Sequence, residues 1–234
     1  MVKATVWAAL VLGVTVASSR PARAAVPAAT VTFLSGEATR VAGAGKPQKL
    51  ADKSELREGD KVVTSKGARL ELTLADQSVI RLDGGSELML KVASADGEGK
   101  KFTAKLGLGK LWAKVNSVLG GQSHFDVETQ NAVAGVRGTT FRVDAKHDNS
   151  ALVRVYAGAV AVAGIGTPRP AHHESRHEVA GPQEVSKQKY EKLLAAMMQV
   201  KVAANGELGE PEKFSAADDD KDAWVAFNQQ RDSK

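Results

Sequence analysis

Apolar and polar residues alternate in short runs along most of the chain, over residues 30–162. A two-residue period is typical of β-strands that bury one face, and no helical period is evident in this part of the sequence. In the clearest run, Arg69–Leu74, every second residue is leucine, and a polar break separates it from the apolar run Val79–Leu82. This pair of runs predicts a β-hairpin.

Similar short runs follow at regular intervals, with turn-forming residues about every ten positions. They cover residues 88–92, 102–108, 110–115, 124–128, 140–145, 151–156 and 159–162. Such spacing predicts an all-β domain of stacked short strands over residues 25–163, either sandwich-like or β-solenoid-like.

The first 24 residues have the pattern of a secretory signal peptide. Lys3 gives a positive start, residues 4–17 are apolar, and Ala22, Ala24 and Ala25 give a small-residue cleavage site. The apolar run is shorter than the roughly 20 residues that a membrane-spanning helix needs. We therefore expect cleavage after Ala24, no membrane span in the mature chain, and a periplasmic or secreted location.

The chain has no cysteine. An exported protein of this composition cannot use disulfides, so its stability must come from buried apolar area. A substantial hydrophobic core is therefore expected.

The pattern changes after the predicted β-domain. Residues 164–182 contain glycine, proline and histidine and are predicted to be a linker. Residues 183–206 are predicted to form one helix, because large apolar side chains recur there at three- and four-residue intervals. These side chains are Tyr190, Leu193, Leu194, Met197, Met198 and Val200. Residues 207–234 are acidic and poor in large apolar residues, which predicts a mostly disordered tail.

Charge is distributed unevenly along the chain. Residues 205–234 carry a formal net charge of −4, whereas residues 25–204 carry +6. Five lysines alternate with apolar residues in the predicted strands and are expected to give one basic sheet face: Lys100, Lys101, Lys105, Lys110 and Lys114. Because an exported protein does not meet nucleic acid, an anionic cell-wall polymer is a candidate partner beside an envelope protein.

One short motif resembles a catalytic signature. Ser186 and Lys189 have the Ser-x-x-Lys spacing of penicillin-binding acyl-transfer enzymes, although the Lys-Thr-Gly and Ser-Asp-Asn motifs of that class are missing from the sequence. A serine that caps a helix is the simpler interpretation. We predict no catalytic residues, no cofactor-binding residues and no enzymatic activity.

Two clusters could be considered as metal ligands. His172, His173 and His177 lie close together beside Glu174 and Glu178, but a glycine- and proline-containing loop does not preorganise a site. The acidic run of residues 218–222 lacks the ligand order of a calcium-binding loop. Both clusters are interpreted as solvated segments, and no metal is predicted.

Several phrases between residues 30 and 164 resemble the FecR domain, the periplasmic part of regulators that control sigma factors. They include the stretches 36–38, 56–64, 68–82, 109–111 and 125–129. The most specific phrase is Ala-Val-Ala-Gly-Val-Arg-Gly-Thr-Thr-Phe at 132–141, followed by Val143, Val153, Val155, Gly158 and Val160.

The resemblance implies a β-domain that senses or relays through protein contacts. Regulators of this family carry a cytoplasmic sigma-binding segment and a transmembrane helix ahead of the domain, and here a signal peptide is expected in that place. The sequence also has Ala75, Asp76 and Gln77 where the family usually has Asp-Gly at a hairpin turn.

Together these features predict an exported, non-enzymatic binding, sensing or scaffolding module that works through protein contacts in the cell envelope. The first alternative is a structural protein associated with the cell wall or a polysaccharide. The second is an acyl-transfer enzyme of the Ser-x-x-Lys class.

Overall fold

The computed structural model describes residues 27–94, 100–116, 124–165 and 191–233, and most of its secondary structure is β-strand. The prediction of an all-β fold is therefore confirmed. The first half of the chain forms β1 (Ala29–Ser35), β2 (Ala38–Val41), β3 (Gln48–Lys49), β4 (Glu55–Leu56), β5 (Lys61–Thr64), β6 (Arg69–Leu74), β7 (Val79–Leu82), β8 (Glu87–Ser94) and β9 (Lys100–Lys114).

The second half adds more strands and two helices. The strands are β10 (His124–Glu128), β11 (Ala132–Val136), β12 (Thr140–Ala145), β13 (Ala151–Ala157), β14 (Ala159–Gly164), β15 (Glu191–Ala195), β16 (Met198–Val202) and β17 (Glu212–Lys213). The helices are α1 (Ala216–Asp219) and α2 (Ala223–Asp232). No described helix is both long and apolar enough to span a membrane.

The strands form two open sheets that share β9. Sheet A has the order β4-β1-β6-β7-β9-β12-β13-β16-β17. Sheet B has the order β3-β2-β5-β8-β9-β10-β11-β14-β15. Most neighbours are antiparallel, and the chain passes from one sheet to the other after one or two strands.

The hydrophobic core lies between the inner faces of the two sheets. Alternation places every second side chain of a strand in this layer, as the sequence pattern predicts. The core side chains with no exposed surface include Val31, Leu72, Ile80, Leu82, Leu111, Phe141, Val155, Val160, Val162, Leu194 and Val200.

Strand β9 changes its inward-facing set where it passes from sheet B to sheet A. Phe102, Ala104 and Leu106 are buried in the first half, and Leu111 and Ala113 in the second, so the parity of the buried positions shifts. The change occurs around Gly109, whose φ is +96°. A Cβ at this position would lie 2.3 Å from the Ser86 Oγ atom, so only glycine fits there.

The predicted hairpin of β6 and β7 is confirmed, and its turn departs from the usual chemistry. Gln77 has φ +64°, a left-handed conformation that glycine adopts at lower cost. The Asp76 carboxylate accepts hydrogen bonds from the Ser78 backbone N–H and from the Ser78 hydroxyl, both at 3.0 Å. These bonds hold the turn in the absence of glycine.

The prediction of a helix over residues 183–206 is wrong for its described part. Residues 191–202 form the β15–β16 hairpin, whose turn contains Met197 at φ +63°. Strand β15 pairs with β14 and β16 pairs with β13, so the hairpin extends both sheets. The two exposed sheet edges supply backbone partners that the apparent helical period did not reveal.

The prediction of a mostly disordered tail is also wrong. Residues 212–213 pair with β16, and α2 contributes the buried side chains of Trp224, Val225 and Asn228. Gly164, the first residue of the predicted linker, is the last residue of β14, and residues 166–182 lie outside the described residues. The predicted signal peptide also lies outside the described residues.

Candidate functional site

A row of outward-facing side chains crosses sheet A from one strand to the next. In the strand register Glu71 lies opposite Arg81, Arg81 opposite Trp112, and Trp112 opposite Arg142. The row continues through Arg154 and Gln199 on one side and Phe33 on the other. We call these side chains the cross-strand row: Phe33, Glu71, Arg81, Trp112, Arg142, Arg154 and Gln199.

The alternation of the strands explains why these residues share a face. Except for Phe33, each lies between two apolar residues that pack in the core, as Arg142 does between Phe141 and Val143, so its own side chain must point away from the core. Nevertheless Arg81 is only 3% exposed and Arg142 only 4%. Something other than solvent therefore covers this outer face.

The cover is the C-terminal segment, residues 214–233, which runs along the row from β13 towards β1. At its beginning the Phe214 ring packs edge-on against Tyr156, with ring centroids 5.4 Å apart. The buried Asp219 carboxylate accepts hydrogen bonds from Arg154 at 2.5 Å and from the Tyr156 hydroxyl. The segment is thus fixed to β13 by a charge pair and a ring contact.

Asp222 fixes the middle of the segment. Its Oδ1 atom accepts the Trp224 backbone N–H at 2.9 Å and so caps α2. Its Oδ2 atom accepts a hydrogen bond from Arg142 at 2.9 Å, while Asp144 binds the other side of the same guanidinium. One carboxylate therefore starts the helix and also attaches it to β12.

The end of α2 joins a buried ion network. The Glu71 carboxylate accepts hydrogen bonds from Arg81 at 2.6 Å and from Arg231 at 2.8 and 2.9 Å. Asp232 accepts hydrogen bonds from Arg81 at 2.6 Å and from the Trp112 indole N–H at 2.9 Å. Because each charge has an opposite charge within hydrogen-bond distance, their burial is tolerated.

Aromatic side chains fill the space between the polar contacts. Trp224 and Val225 of α2 are buried in a cluster with Trp112, apart from the main core. The Phe227 ring lies 5.8 Å from Phe33 and is covered by the Arg69 guanidinium at 4.4 Å. The interface therefore combines a dry aromatic centre with charged groups around it.

The network shifts the pKa values of its members in ways that follow from the contacts. Burial alone would raise the pKa of Glu71, but hydrogen bonds from Arg231, Arg81 and Thr32 lower it to about 2. Burial would likewise raise the pKa of Asp222, and the Trp224 N–H and Arg142 lower it. Burial and the Asp219 carboxylate both raise the pKa of the Tyr156 hydroxyl. The carboxylates are thus held charged and the phenol neutral at neutral pH.

The expected single basic face is wrong because β9 belongs to two sheets. Lys105 lies in the half that pairs with β8 and β10, in sheet B. Lys110 and Lys114 lie in the sheet A half and contact the C-terminal segment, Lys110 at 3.8 Å from Asp222 and Lys114 at 3.0 Å from the Asp232 carbonyl oxygen. Lys100 and Lys101 also lie in the sheet B half.

The other predicted site residues separate into two groups. Ser186, Lys189 and the cluster of His172, His173 and His177 lie outside the described residues. Of the acidic run, Asp219 is buried against Arg154, so the interpretation of a fully solvated run is wrong. Within residues 27–94, 100–116, 124–165 and 191–233, no cluster of histidines and acids has the arrangement of a metal site.

A cleft of about 550 Å³ lies at one end of the sandwich, lined by Gly85, Leu108, Gly109, Lys110 and residues 144–148. Its lining has no serine, threonine or cysteine that could act as a nucleophile beside His147. Asp144, which could orient the imidazole, is bound instead by the Arg142 guanidinium at 2.7 and 2.8 Å. The lining does not assemble the groups that nucleophilic catalysis needs.

Sequence reasoning did not identify the cross-strand row, although two signals were present. Arg81, Arg142 and Arg154 each interrupt an apolar strand at an outward position. The opposite charges of residues 25–204 and 205–234 indicated a mutual attraction and were interpreted as attraction to an external polymer. An acidic tail with aromatic residues, following strands with outward arginines, is the pattern that would have revealed the contact.

Comparisons with known proteins agree with this architecture. The FecR protein family matches residues 60–161. A solved structure of a candidate anti-sigma factor from Parabacteroides distasonis ATCC 8503 has 22% sequence identity and a TM-score of 0.50, covering 70% of this chain and 64% of that one. A second structure described in the same way, from the same organism, has 22% identity and a TM-score of 0.47, covering 67% and 60%.

This chain therefore spans less than two-thirds of the length of either structure. No curated protein matches it. The matched residues 60–161 run from the start of β5 to the middle of β14 and include five strands of the cross-strand row. The chain therefore contains a FecR domain, and its C-terminal segment lies across the outer face of that domain.

Proposed function

We propose that this protein is a non-enzymatic regulatory module that works through protein contacts in the cell envelope or the secreted space. One observation carries the proposal. The outer face of sheet A recognises a polypeptide segment with side chains from several strands, through charge-assisted hydrogen bonds and ring contacts. Surfaces rich in arginine and tryptophan are typical of protein–protein contact sites.

Two further points support the proposal. FecR proteins are regulators, and the solved structure of similar fold is described as a candidate anti-sigma factor, which acts by binding another protein. The N-terminal pattern of residues 1–24 favours export. The lysines that favoured an anionic polymer are divided between two sheets, so a cell-wall polymer is not proposed as the partner.

Site-specific photo-crosslinking in the native host tests this function. A benzophenone amino acid is placed at Lys110, an outward position of sheet A beside the C-terminal segment, and at Lys105, which is exposed on sheet B, as a matched position. We expect a discrete protein adduct from position 110 and none, or a different one, from position 105. Absence of any discrete adduct from either position would contradict the proposal.

Location is tested in the same cells. Fractionation and N-terminal sequencing are expected to find the mature protein outside the cytoplasm, beginning at Ala25. A full-length protein with Met1 that remains in the cytoplasm would contradict the envelope part of the proposal and would leave the crosslinking result to be judged separately.

A further inference from the structure

We propose that the cross-strand row is a binding site for an acidic, aromatic-containing segment of a protein partner, and that the C-terminal segment is its exchangeable intramolecular occupant. The inference rests on the proposed function and adds the chemistry of the partner. The site is then closed by the chain's own segment until a partner segment replaces it.

The row itself defines what it can bind. Three arginines present guanidinium groups that pair with carboxylates, and Trp112 lies between Arg81 and Arg142 with its N–H directed to an acceptor. Neighbouring strands are about 4.8 Å apart, so Arg142 and Arg81 lie roughly 5 and 14 Å from Arg154 along the row. A matching ligand places carboxylates at about these intervals, with an aromatic side chain between the second and the third.

The C-terminal segment supplies the required carboxylates in the same order as the arginines of the row. Asp219 pairs with Arg154, Asp222 with Arg142 and Asp232 with Arg81. Trp224, which lies between Asp222 and Asp232 in the sequence, is buried in one cluster with Trp112. The occupant therefore shows directly which ligand chemistry the face accepts.

The segment can leave without disrupting the sheets. Helix α2 has ten residues, fewer than the roughly 12–15 that an isolated helix needs, so it is helical only while it is docked. Its aromatic cluster is separate from the main core, and the strands beneath it keep all their backbone pairings when it departs. Docking is thus a local equilibrium of one segment on a prefolded surface.

The fit of the segment is incomplete at its centre. The Trp224 Nε1 atom is buried and has no hydrogen-bond partner among the described residues, so its N–H has lost water without gaining an acceptor there. Asp222 keeps 32% of its side chain exposed and Arg231 keeps 25%. A partner segment that also satisfies this buried site can bind the face more tightly than the chain's own segment does.

A competition experiment tests the exchange. The probe is a fluorescently labelled synthetic peptide of residues 212–233, titrated into the full-length protein and followed by anisotropy. The tethered segment competes at an effective concentration of the order of millimolar, so we expect weak binding to the wild type. In the double variant Asp219→Asn, Asp222→Asn the tethered segment is weakened, and the peptide is expected to bind at least about tenfold more tightly.

The matched control is the double variant Asp218→Asn, Asp220→Asn. It removes the same charge from the same segment, but Asp218 contacts Lys221 and Asp220 contacts Gln229, both within the segment. Its peptide affinity is expected to equal that of the wild type. Adding Arg142→Gln and Arg154→Gln to the first double variant is expected to lower the affinity at least about tenfold. Equal affinity in all of these proteins would overturn the proposal.

Hydrogen exchange on the wild type tests the same equilibrium without any substitution. We expect the amides of α2 to exchange at least about 100-fold faster than the central amides of β9 and β12, because the segment opens alone. Equal protection of α2 and these strands would show a permanent structural element and would overturn the proposal.

Two further outcomes test what binds to the cross-strand row. If the segment is instead exchanged between two copies, the mass measured by sedimentation increases with concentration, and the proposal of a different partner protein is overturned. A crosslinked partner from position 110 together with no peptide exchange would contradict this inference and leave the proposed function standing.

Discussion

The two outer faces of the sandwich have different surroundings. On sheet A the cross-strand row carries charged and aromatic side chains, and the C-terminal segment buries most of them. On sheet B the register places Leu193 opposite Ala161 and Ala161 opposite Gly135, and Leu193 is 73% exposed. A charged row is thus buried on sheet A and the apolar side chain of Leu193 is exposed on sheet B, the reverse of what a polarity pattern suggests.

The comparison shows that alternation decides which side chains point outward, but not whether they meet water. The charges on sheet A can be buried because a second part of the chain supplies opposite charges at hydrogen-bond distance. Outward residues of sheet A should therefore tolerate substitution poorly, whereas exposed outward residues of sheet B should tolerate it well. Matched substitutions on the two sheets measure this difference in tolerance.

The largest effect is expected for Arg81→Met. Its side chain, which is 4% exposed, binds Glu71 and Asp232, and its removal leaves buried carboxylates with fewer partners. Removing one member of a buried ion pair costs about 3–5 kcal/mol. We expect a loss of this size in the free energy of unfolding, measured by urea denaturation.

Lys105→Met is the matched substitution on sheet B, since it removes one positive charge from an exposed outward position. Exposed surface substitutions usually change stability by less than about 0.5 kcal/mol. Equal losses for Arg81→Met and Lys105→Met would remove the distinction between the two faces.

Acidification is expected to weaken the same network. The pKa of Glu71 is about 2 in the folded protein, against an ordinary value of 4.5. A lowered pKa stabilises the fold above the unfolded value, and that stabilisation is lost as the pH falls from about 4.5 to about 2. The shift corresponds to at most about 3 kcal/mol. Tryptophan fluorescence and thermal melting at each pH will measure it.

Other groups around Glu71 determine how the result is interpreted. The pKa of Asp222 is also lowered, and this shift contributes with the same sign. Glu71→Gln is therefore expected to reduce the dependence on pH without removing it. A wild-type melting temperature that stays constant between pH 4.5 and 2 would contradict the assignment.

The smallest effect is expected at a turn remote from the C-terminal segment. Gln77 is exposed and has φ +64°, so Gln77→Gly removes backbone strain of about 1 kcal/mol or slightly less. The melting temperature should rise. Asn149→Gly, at φ +61°, is the control and should change stability less, because asparagine tolerates this conformation.

The strands of the sandwich could be predicted from the sequence because their pattern is local. Each of the runs 69–74, 79–82, 140–145 and 151–156 alternates inward and outward residues and ends at turn-forming residues. The resemblance to FecR domains was carried by glycine and valine positions of the same region. Both signals lie within stretches of a few residues and need no knowledge of distant contacts.

The hairpin of β15 and β16 could not be predicted because its turn shifts the period. Leu194, Val200 and Val202 are buried, while Leu193 is exposed and Met197 lies in the turn. Two alternating strands joined at Met197 imitate the three- and four-residue spacing of a helix. These residues form strands because they pair with the open edges of β13 and β14, which are distant in sequence.

The cross-strand row escaped prediction for a different reason. Its residues belong to separate strands, and their alignment depends on the pairing register. The tail that covers them has few large apolar residues, and charge pairs with the sheet supply much of its attachment. A prediction of disorder from composition treats these acids as solvated. It therefore misses the helix and the ion pairs that this tail forms.

Strand β9 decides where this protein can be divided into two fragments. It pairs with β7 and β12 in one sheet and with β8 and β10 in the other, so a break within it removes a partner from four strands. A break in β3, which pairs only with β2 among the described strands, removes one. Split-protein reporters and circular permutants of this fold therefore need new termini away from β9.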